Sequence, residues 1–325
     1  MLSRRGTAAA AAALLSLAAC QRGAPPATAR PRVALVLKTL NSPFFIDMQK
    51  GATAAAEAQG IDLVVQAAER EVDVDKQMQI IENLVQTGVK ALLVTPSGSR
   101  EVVPAIAKAN AAGIPVVIVD TKVDPAAASE AAIKTVTFVG SDNLEGGRLA
   151  GQHMVKVTNG RAKVAVLEGI PGHETGDSRL KGFKEAIAKS PGVTIVASQP
   201  ANWERDLGFN VFQNMLQAHP EIDAVFACND MMALGAVEAI AVAGKLGKIK
   251  VIGFDAVDDA RKAIASGAMV ASVAQFPGEM GRVAVESAAK VLKGETLPPD
   301  QRVRIELVTA ETLASPAASA TGARP

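Results

Sequence analysis

Val33-Ala34-Leu35-Val36-Leu37-Lys38-Thr39-Leu40-Asn41-Ser42-Pro43-Phe44-Phe45-Ile46-Asp47-Met48-Gln49-Lys50-Gly51 is the stretch on which the fold turns. Val33 to Leu37 is an unbroken apolar run of strand length, the pattern of a parallel strand covered on both faces. Ser42 suits a helix N-cap and Pro43 the first helical position, so a helix begins where the strand stops. A strand running straight into a helix is half of a βαβ unit, and the rest of the chain repeats it. Strand-length apolar runs recur at Leu63–Gln66, Ala91–Val94, Val116–Val119 and Val136–Val139, and a second set falls at Val164–Leu167, Val193–Ala197, Ala224–Ala227 and Val251–Gly253. Between them Met78, Ile81, Leu84 and Val85 have helical spacing, and Gly88, Gly113 and Gly244 read as helix stops. Two sets of strands predict an α/β molecule of two doubly wound parallel-sheet domains.

Composition agrees with two domains. The chain has 325 residues, 49% hydrophobic and 21% charged, enough apolar surface for two cores. Lys and Arg number 34 against 33 Asp and Glu, so there is no positive field of the kind nucleic-acid binding needs. Only two cysteines are present, and Cys228 closes the apolar Ala224–Ala227 run, which reads as a small buried hydrophobe. No G-x-G-x-x-G follows the first strand and no phosphate-cradling G-x-x-x-x-G-K-[ST] occurs. Gly169, Gly172 and Gly176 read as a turn. His153, His173 and His219 are isolated, so neither a metal cluster nor a Cys/His pair is legible; His173 reads as an exposed loop histidine. No catalytic residue, metal or cofactor is expected.

The front of the chain has the three-part layout of an export signal. Arg4 and Arg5 precede the apolar run Ala8–Leu17, too short to cross a bilayer about 30 Å thick, and Leu17-Ala18-Ala19-Cys20 resembles the bacterial lipobox. Residues 1–19 are thus expected to be cut away, leaving a lipid on Cys20 and a Gly/Ala/Pro-rich tether over 20–31. Residues 314–325 read as a disordered tail.

Polar and aromatic side chains gather at the strand ends. Phe44 and Phe45 follow strand one, Asp120 ends strand four, Asn229-Asp230 follow strand eight, and Asp255 ends Val251-Ile252-Gly253-Phe254. Each polar residue also suits a cap or turn. Arg179 alone reads as a solvated helix residue, whereas Trp203 is the one Trp of the chain and sits in the polar segment Asn202-Trp203-Glu204.

Four separated segments, Ala34–Gly51, Ala197-Ser198-Gln199-Pro200-Ala201-Asn202-Trp203, Cys228-Asn229-Asp230-Met231-Met232-Ala233-Leu234-Gly235 and Gly253-Phe254-Asp255, resemble the periplasmic ribose-binding and especially allose-binding proteins of ABC sugar importers. The resemblance runs from Arg32 to about Leu313. It implies two lobes, 32–141 plus 276–303 and 142–275 plus 304–313, joined by a three-strand hinge crossing near Ser141, Gln275 and Val303. A monosaccharide would lie between them, Phe44 and Phe45 stacking on one face and Trp203 on the other. Lys38, Ser42, Asp120, Arg179, Asn229, Asp255 and Gln275 would meet its hydroxyls. Ribose-binding members have Arg after the strand-four Asp, where this chain has Thr121, and Lys38 matches a lysine of allose binders, which tilts the expectation toward a hexose. Ser42 stands where the family has Asn. The resemblance further implies a periplasmic protein delivering its sugar unaltered to an ABC permease and its ATPase, expected to be monomeric and, from the Cys20 motif, lipid-anchored. A sugar- or signal-presenting protein for a chemoreceptor or sensor kinase is the alternative. A sugar-responsive repressor would need a DNA-binding helix-turn-helix ahead of the body, where an export signal and tether stand.

Overall fold

The computed structural model describes residues 30–315, so the signal, Cys20, nearly all of the tether and the tail beyond Ser315 lie outside it. The first run of elements is β1 (Arg32–Thr39), α1 (Pro43–Gln59), β2 (Asp62–Ala68), α2 (Val74–Gln86), β3 (Ala91–Val94), α3 (Val103–Ala111), β4 (Val116–Val119), α4 (Pro125–Glu130) and β5 (Phe138–Gly140). The second run is α5 (Asn143–Val157), β6 (Ala162–Glu168), α6 (Glu174–Ile187), β7 (Val193–Pro200), α7 (Arg205–Ala218), β8 (Ala224–Ala227), α8 (Asp230–Val242), β9 (Lys250–Asp255), α9 (Asp258–Ala265) and β10 (Ala271–Ala274). The chain then returns through α10 (Pro277–Leu292), β11 (Asp300–Arg302), β12 (Glu306–Thr309) and α11 (Ala310–Ala314). Ala314, expected to begin the tail, is instead the last residue of α11.

Two six-stranded sheets result, ordered β11-β5-β4-β3-β1-β2 and β12-β10-β9-β8-β6-β7. Every pairing is parallel except that of β12 with β10. The chain passes between the sheets at Ser141–Asp142, Gln275–Phe276 and Val303–Ile305, short connections of two or three residues. From Pro31 onward the two sheets belong to one compact unit. Strand order reverses between β1 and β3 in one sheet and between β6 and β8 in the other, which opens a crevice at the carboxyl ends of each pair.

Packing explains why the strands read as continuous apolar runs. Along β1, Val33, Leu35 and Leu37 face α1 and α10, while Ala34 and Val36 face α2 and α3, so both faces are dry. The second sheet has the same cover, with Phe183 of α6 stacked on Phe226 of β8 at 4.4 Å between ring centres. Burying a phenyl ring of this kind contributes roughly 1.5–3 kcal/mol. Helices α1 and α10 approach closely through Gly51, Gly278 and Gly281; a Cβ at Gly51 would run into the Gly278 backbone.

Several boundaries differ from the sequence expectation. Gly88, Gly113 and Gly244 do end their helices in left-handed backbone, with φ of 73°, 72° and 64°. The predicted 136–139 strand is displaced to Phe138–Gly140. β10, β11 and β12 had no sequence signal, because Ala271-Ser272-Val273-Ala274 carries a polar residue and Asp300-Gln301-Arg302 is a short polar edge. Ser42 takes the N-cap position of α1, but its hydroxyl makes no capping bond; its carbonyl accepts from the Phe45 and Ile46 amides instead. His173 is buried at the N-cap of α6, not exposed, because α6 docks its first turn against the β3–α3 loop, where the Glu174 amide donates to Ser99 Oγ at 3.2 Å.

Candidate functional site

Both crevices open toward each other, and the space between them, open solvent at its mouth included, is about 310 Å³. Its walls contain Lys38, Ser42, Phe44, Phe45 and Asp120 from the first sheet's side, and Arg179, Trp203, Asn229, Asp255 and Gln275 from the second's or the connections. Glu71 and Thr175 complete the lining.

Each wall is built by a strand end. β1 delivers Lys38, whose ammonium lies 3.3 Å from Asp120 Oδ2, 3.7 Å from Glu71 Oε2 and 5.7 Å from the centre of the Phe45 ring. Phe44 and Phe45 meet edge to face at 5.2 Å on the first turn of α1. Both rings belong to the hydrophobic core as well as to the cavity wall, so the choice between mouth and core is false. Asp120 stands just past β4 with φ of 64°, and its Oδ2 accepts from Thr121 Oγ1 at 2.9 Å.

On the opposite wall Arg179 is buried, with 4% of its surface exposed, which overturns its reading as a solvated helix residue. Its Nε donates to Asn143 Oδ1 at 2.9 Å and its Nη1 to the Cys228 carbonyl at 2.7 Å, while the guanidinium stacks on Phe254 at 3.9 Å and stands 3.7 Å from Asp255. Burial pushes the Asp255 carboxyl up to about 6, with Arg179 and the Gln275 amide, which donates at 2.7 Å, pulling it back. Behind it the wholly buried Asp230 is held well above the usual carboxylate range, first by burial and then by the Asp255 charge. Asp230 accepts from Ser272 Oγ and the Val257 amide, bracing the β9–α9 turn that carries Asp255. Asn229 is more committed than a free hydroxyl ligand: its Oδ1 caps α8 through the Met232 amide and its Nδ2 donates to the Trp203 carbonyl. One Nδ2 hydrogen is left for a ligand.

Trp203 lies in left-handed backbone, φ 70°, against Gly169, where a Cβ would strike the indole. Gly169 is therefore more than a turn former, since it makes room for the ring. Non-glycine residues with positive φ store strain and gather at functional sites; Asp120, Trp203 and Asp255 are three such residues, all on this cavity. Three lining atoms, Trp203 Nε1, Thr175 Oγ1 and Gln275 Oε1, are buried without a hydrogen-bond partner in the protein. Orphaned buried polar atoms cost roughly 1–3 kcal/mol each unless a ligand or water satisfies them.

The cleft is shut. Arg70 after β2 donates through Nε and Nη2 to Glu204 Oε1, at 2.9 and 2.7 Å, bridging the two walls at the rim. An exposed pair of this kind contributes at most about 1 kcal/mol to holding the walls together. Cys228 is fully buried, its thiol pushed up to about 12 by burial, which leaves it no nucleophilic character near neutral pH. His173, pushed down to about 3 by burial and by Lys38, is neutral. Sequence reading missed Glu71 and Thr175. The strand-end rule applied to β2, whose apolar run stops before Glu69-Arg70-Glu71, would have found Glu71; Thr175 carries no sequence signal.

A family model described as a periplasmic binding protein domain matches residues 33–296. The chain is 39% identical over 282 residues to the ribose import binding protein of Escherichia coli K12, spanning 87% of this chain and 92% of that one. It is 35% identical over 284 residues to the D-allose-binding periplasmic protein of the same organism, spanning 87% and 91%. Among solved structures, an ABC transporter periplasmic solute binding protein from Actinobacillus succinogenes with bound D-allose superposes with a TM-score of 0.82 at 38% identity, covering 87% of this chain and 99% of that one.

Proposed function

The chain belongs to the periplasmic binding protein domain family, whose members bind solutes and are not enzymes, and from that premise we propose that it captures one monosaccharide, a hexose such as allose or else ribose, for an ABC importer. The observation that carries the reading is the lining itself. Apolar aromatic edges from two walls face a belt of charged and amide groups, and the Trp203 Nε1, Thr175 Oγ1 and Gln275 Oε1 atoms of the lining have no partner in the protein. A sugar ring presents the matching surface, apolar C–H faces and an equatorial belt of hydroxyls. Hydrogen bonds from those hydroxyls to charged groups contribute about 1.5–3 kcal/mol each, so the belt chooses among epimers and the aromatic faces supply general affinity. Lys38 in place of a plain polar residue, and Thr121 in place of an arginine, favour a ligand with a hydroxyl reaching toward β1. The lobes 32–141 plus 276–303 and 142–275 plus 304–313 turn as two bodies about the three connections, and a ligand that touches both binds the closed form better, which is what shuts the cleft.

A thermal-shift and calorimetric screen of ribose, allose, glucose, galactose, xylose and polyols tests this. The cognate sugar at a hundredfold excess over its Kd adds about 2.7 kcal/mol to unfolding stability. No shift and no heat with any of them sinks the reading.

The protein is monomeric, is held at the cell envelope by a lipid on Cys20 and hands its sugar to a permease and its ATPase. Replacing Cys20 by Ser moves the protein from the membrane fraction to the soluble one, since removing the acyl chains removes about 0.8 kcal/mol of membrane affinity per buried methylene. Unchanged membrane association in that variant rules the anchor out.

A further inference from the structure

Glu71 is a cavity residue that the sugar-binding reading did not need, and its surroundings are unusual. It follows β2 in a loop fixed from both ends: Thr39 Oγ1 and Asn41 Nδ2 donate to the Glu69 carbonyl at 2.7 and 2.8 Å, and the Arg70 amide donates to Asp73 Oδ2 at 2.9 Å. The side chain is 13% exposed and points at Lys38, whose ammonium at 3.7 Å is beyond hydrogen-bond reach. Among the described residues no donor bonds the Glu71 carboxyl. The groups that face it across the cavity are Lys38 on β1, Asp120 past β4, Arg179 on α6 and Asp255 past β9. Arg70 and Asp73 belong to its own loop, and His173 stands behind Lys38. Two cations thus face two carboxylates before Glu71 is counted. A third buried negative charge would be uncompensated around an uncharged ligand, whereas a neutral carboxyl leaves the cavity balanced and gains an O–H to donate.

We propose that Glu71 enters the closed site as the neutral acid and donates a hydrogen bond to an oxygen of the bound ligand, so that ligand capture takes up a proton from solution. The proposal rests on the sugar-binding reading and says which proton goes where within it: solvent supplies it to the Glu71 carboxylate of the open cleft, and opening returns it.

The electrostatics point the same way. In the closed cleft, burial pushes the Glu71 carboxyl from 4.5 up to about 7, against the pull of Lys38. Opening the cleft would hydrate the carboxyl and remove the burial that raises it. A group whose pKa is higher in the closed state favours closure below that pKa and loses the contribution as pH rises through it. Glu71 therefore favours capture below about pH 7, and its share falls roughly tenfold between pH 6 and pH 8. Asp255 and His173 also change surroundings on closure, and with opposite signs, so the contribution of Glu71 is read as a difference from Glu71→Gln, which keeps both of them and mimics the neutral acid.

The test is calorimetry of the intact protein with its best sugar from the screen, in buffers of different ionisation enthalpy, for wild type, Glu71→Gln and Glu71→Ala. The expected results are that wild type takes up close to one proton more per sugar than Glu71→Gln near pH 6, that the ratio of their affinities falls about tenfold from pH 6 to pH 8, and that Glu71→Ala binds at least several-fold more weakly than Glu71→Gln. Equal proton uptake and parallel pH profiles in wild type and Glu71→Gln overturn the role of Glu71 while leaving sugar binding standing. Absence of heat from wild type with every sugar overturns the binding reading and this inference together.

Discussion

Replacing Arg179 by Ala is expected to weaken sugar binding by at least a hundredfold and to lower unfolding stability by about 3 kcal/mol, the usual cost of removing one partner from a buried charged network. The guanidinium holds the Cys228 carbonyl, Asn143 and the face of Phe254, and it is the cation beside Asp255. Its loss orphans two acceptors and leaves the Asp255 carboxyl buried with only the Gln275 amide. Asp255 then rises further above its present value of about 6 and is protonated near neutral pH, so the site loses a cation and an anion together. Calorimetry measures the binding loss and chemical denaturation the stability loss. Because stability falls too, the informative second variant is Asp120→Asn, which removes a charge but keeps the shape and leaves Arg179 untouched. It is expected to fold like wild type and to bind at least tenfold more weakly, since a carboxylate accepts from hydroxyls about twice as strongly as an amide oxygen does. Wild-type affinity in Asp120→Asn counts against the placement of the ligand beside Lys38.

Trp203 carries the second large effect. Its indole is 6% exposed, wedged against Gly169 and Gly176, with Nε1 unpartnered and the Arg179 guanidinium 5.6 Å from the ring. Replacing it by Ala opens a cavity in the wall and removes the flat face opposite the two phenylalanines. The expected cost is about 3–5 kcal/mol of stability, in the range of buried aromatic truncations, together with near-complete loss of sugar affinity. Since this is the one Trp of the chain, wild-type fluorescence reports on the site without labelling. A sugar that satisfies Nε1 and excludes water from the ring shifts the emission. If a sugar that binds by calorimetry leaves both the wavelength and the intensity unchanged, Trp203 does not touch it.

Both effects rest on groups whose meaning differs between sequence and structure. Arg179 in Arg179-Leu180-Lys181-Gly182 has the look of a solvated helix residue because nothing local shows that α6 turns its first two turns into the cleft. His173 gives no sign of burial for the same reason: the helix it caps packs its first turn against Ser99, which lies 74 positions earlier in the chain. Phe44 and Phe45, by contrast, were legible as strand-end aromatics, although their double duty in core and wall was not. Glu71 gives no sign of burial in the sequence because a charged residue in a charged loop is ordinarily a solvated one, and only the tertiary structure brings it to within 3.7 Å of the buried Lys38 ammonium.

What the sequence determined by itself is local and periodic: continuous apolar runs that have to be covered on both faces, glycines where the backbone turns left-handed at helix ends, and a strand-then-helix rhythm in two sets, which together require two doubly wound parallel sheets. The motif resemblance added the family. Tertiary structure alone decided which polar residues are buried, because burial is a property of the space between two sheets and no window of sequence contains it. The raised carboxyls of Glu71 and Asp255, the orphaned atoms of Trp203, Thr175 and Gln275, and the latch from Arg70 to Glu204 all arise where residues distant in the chain are brought together around one pocket.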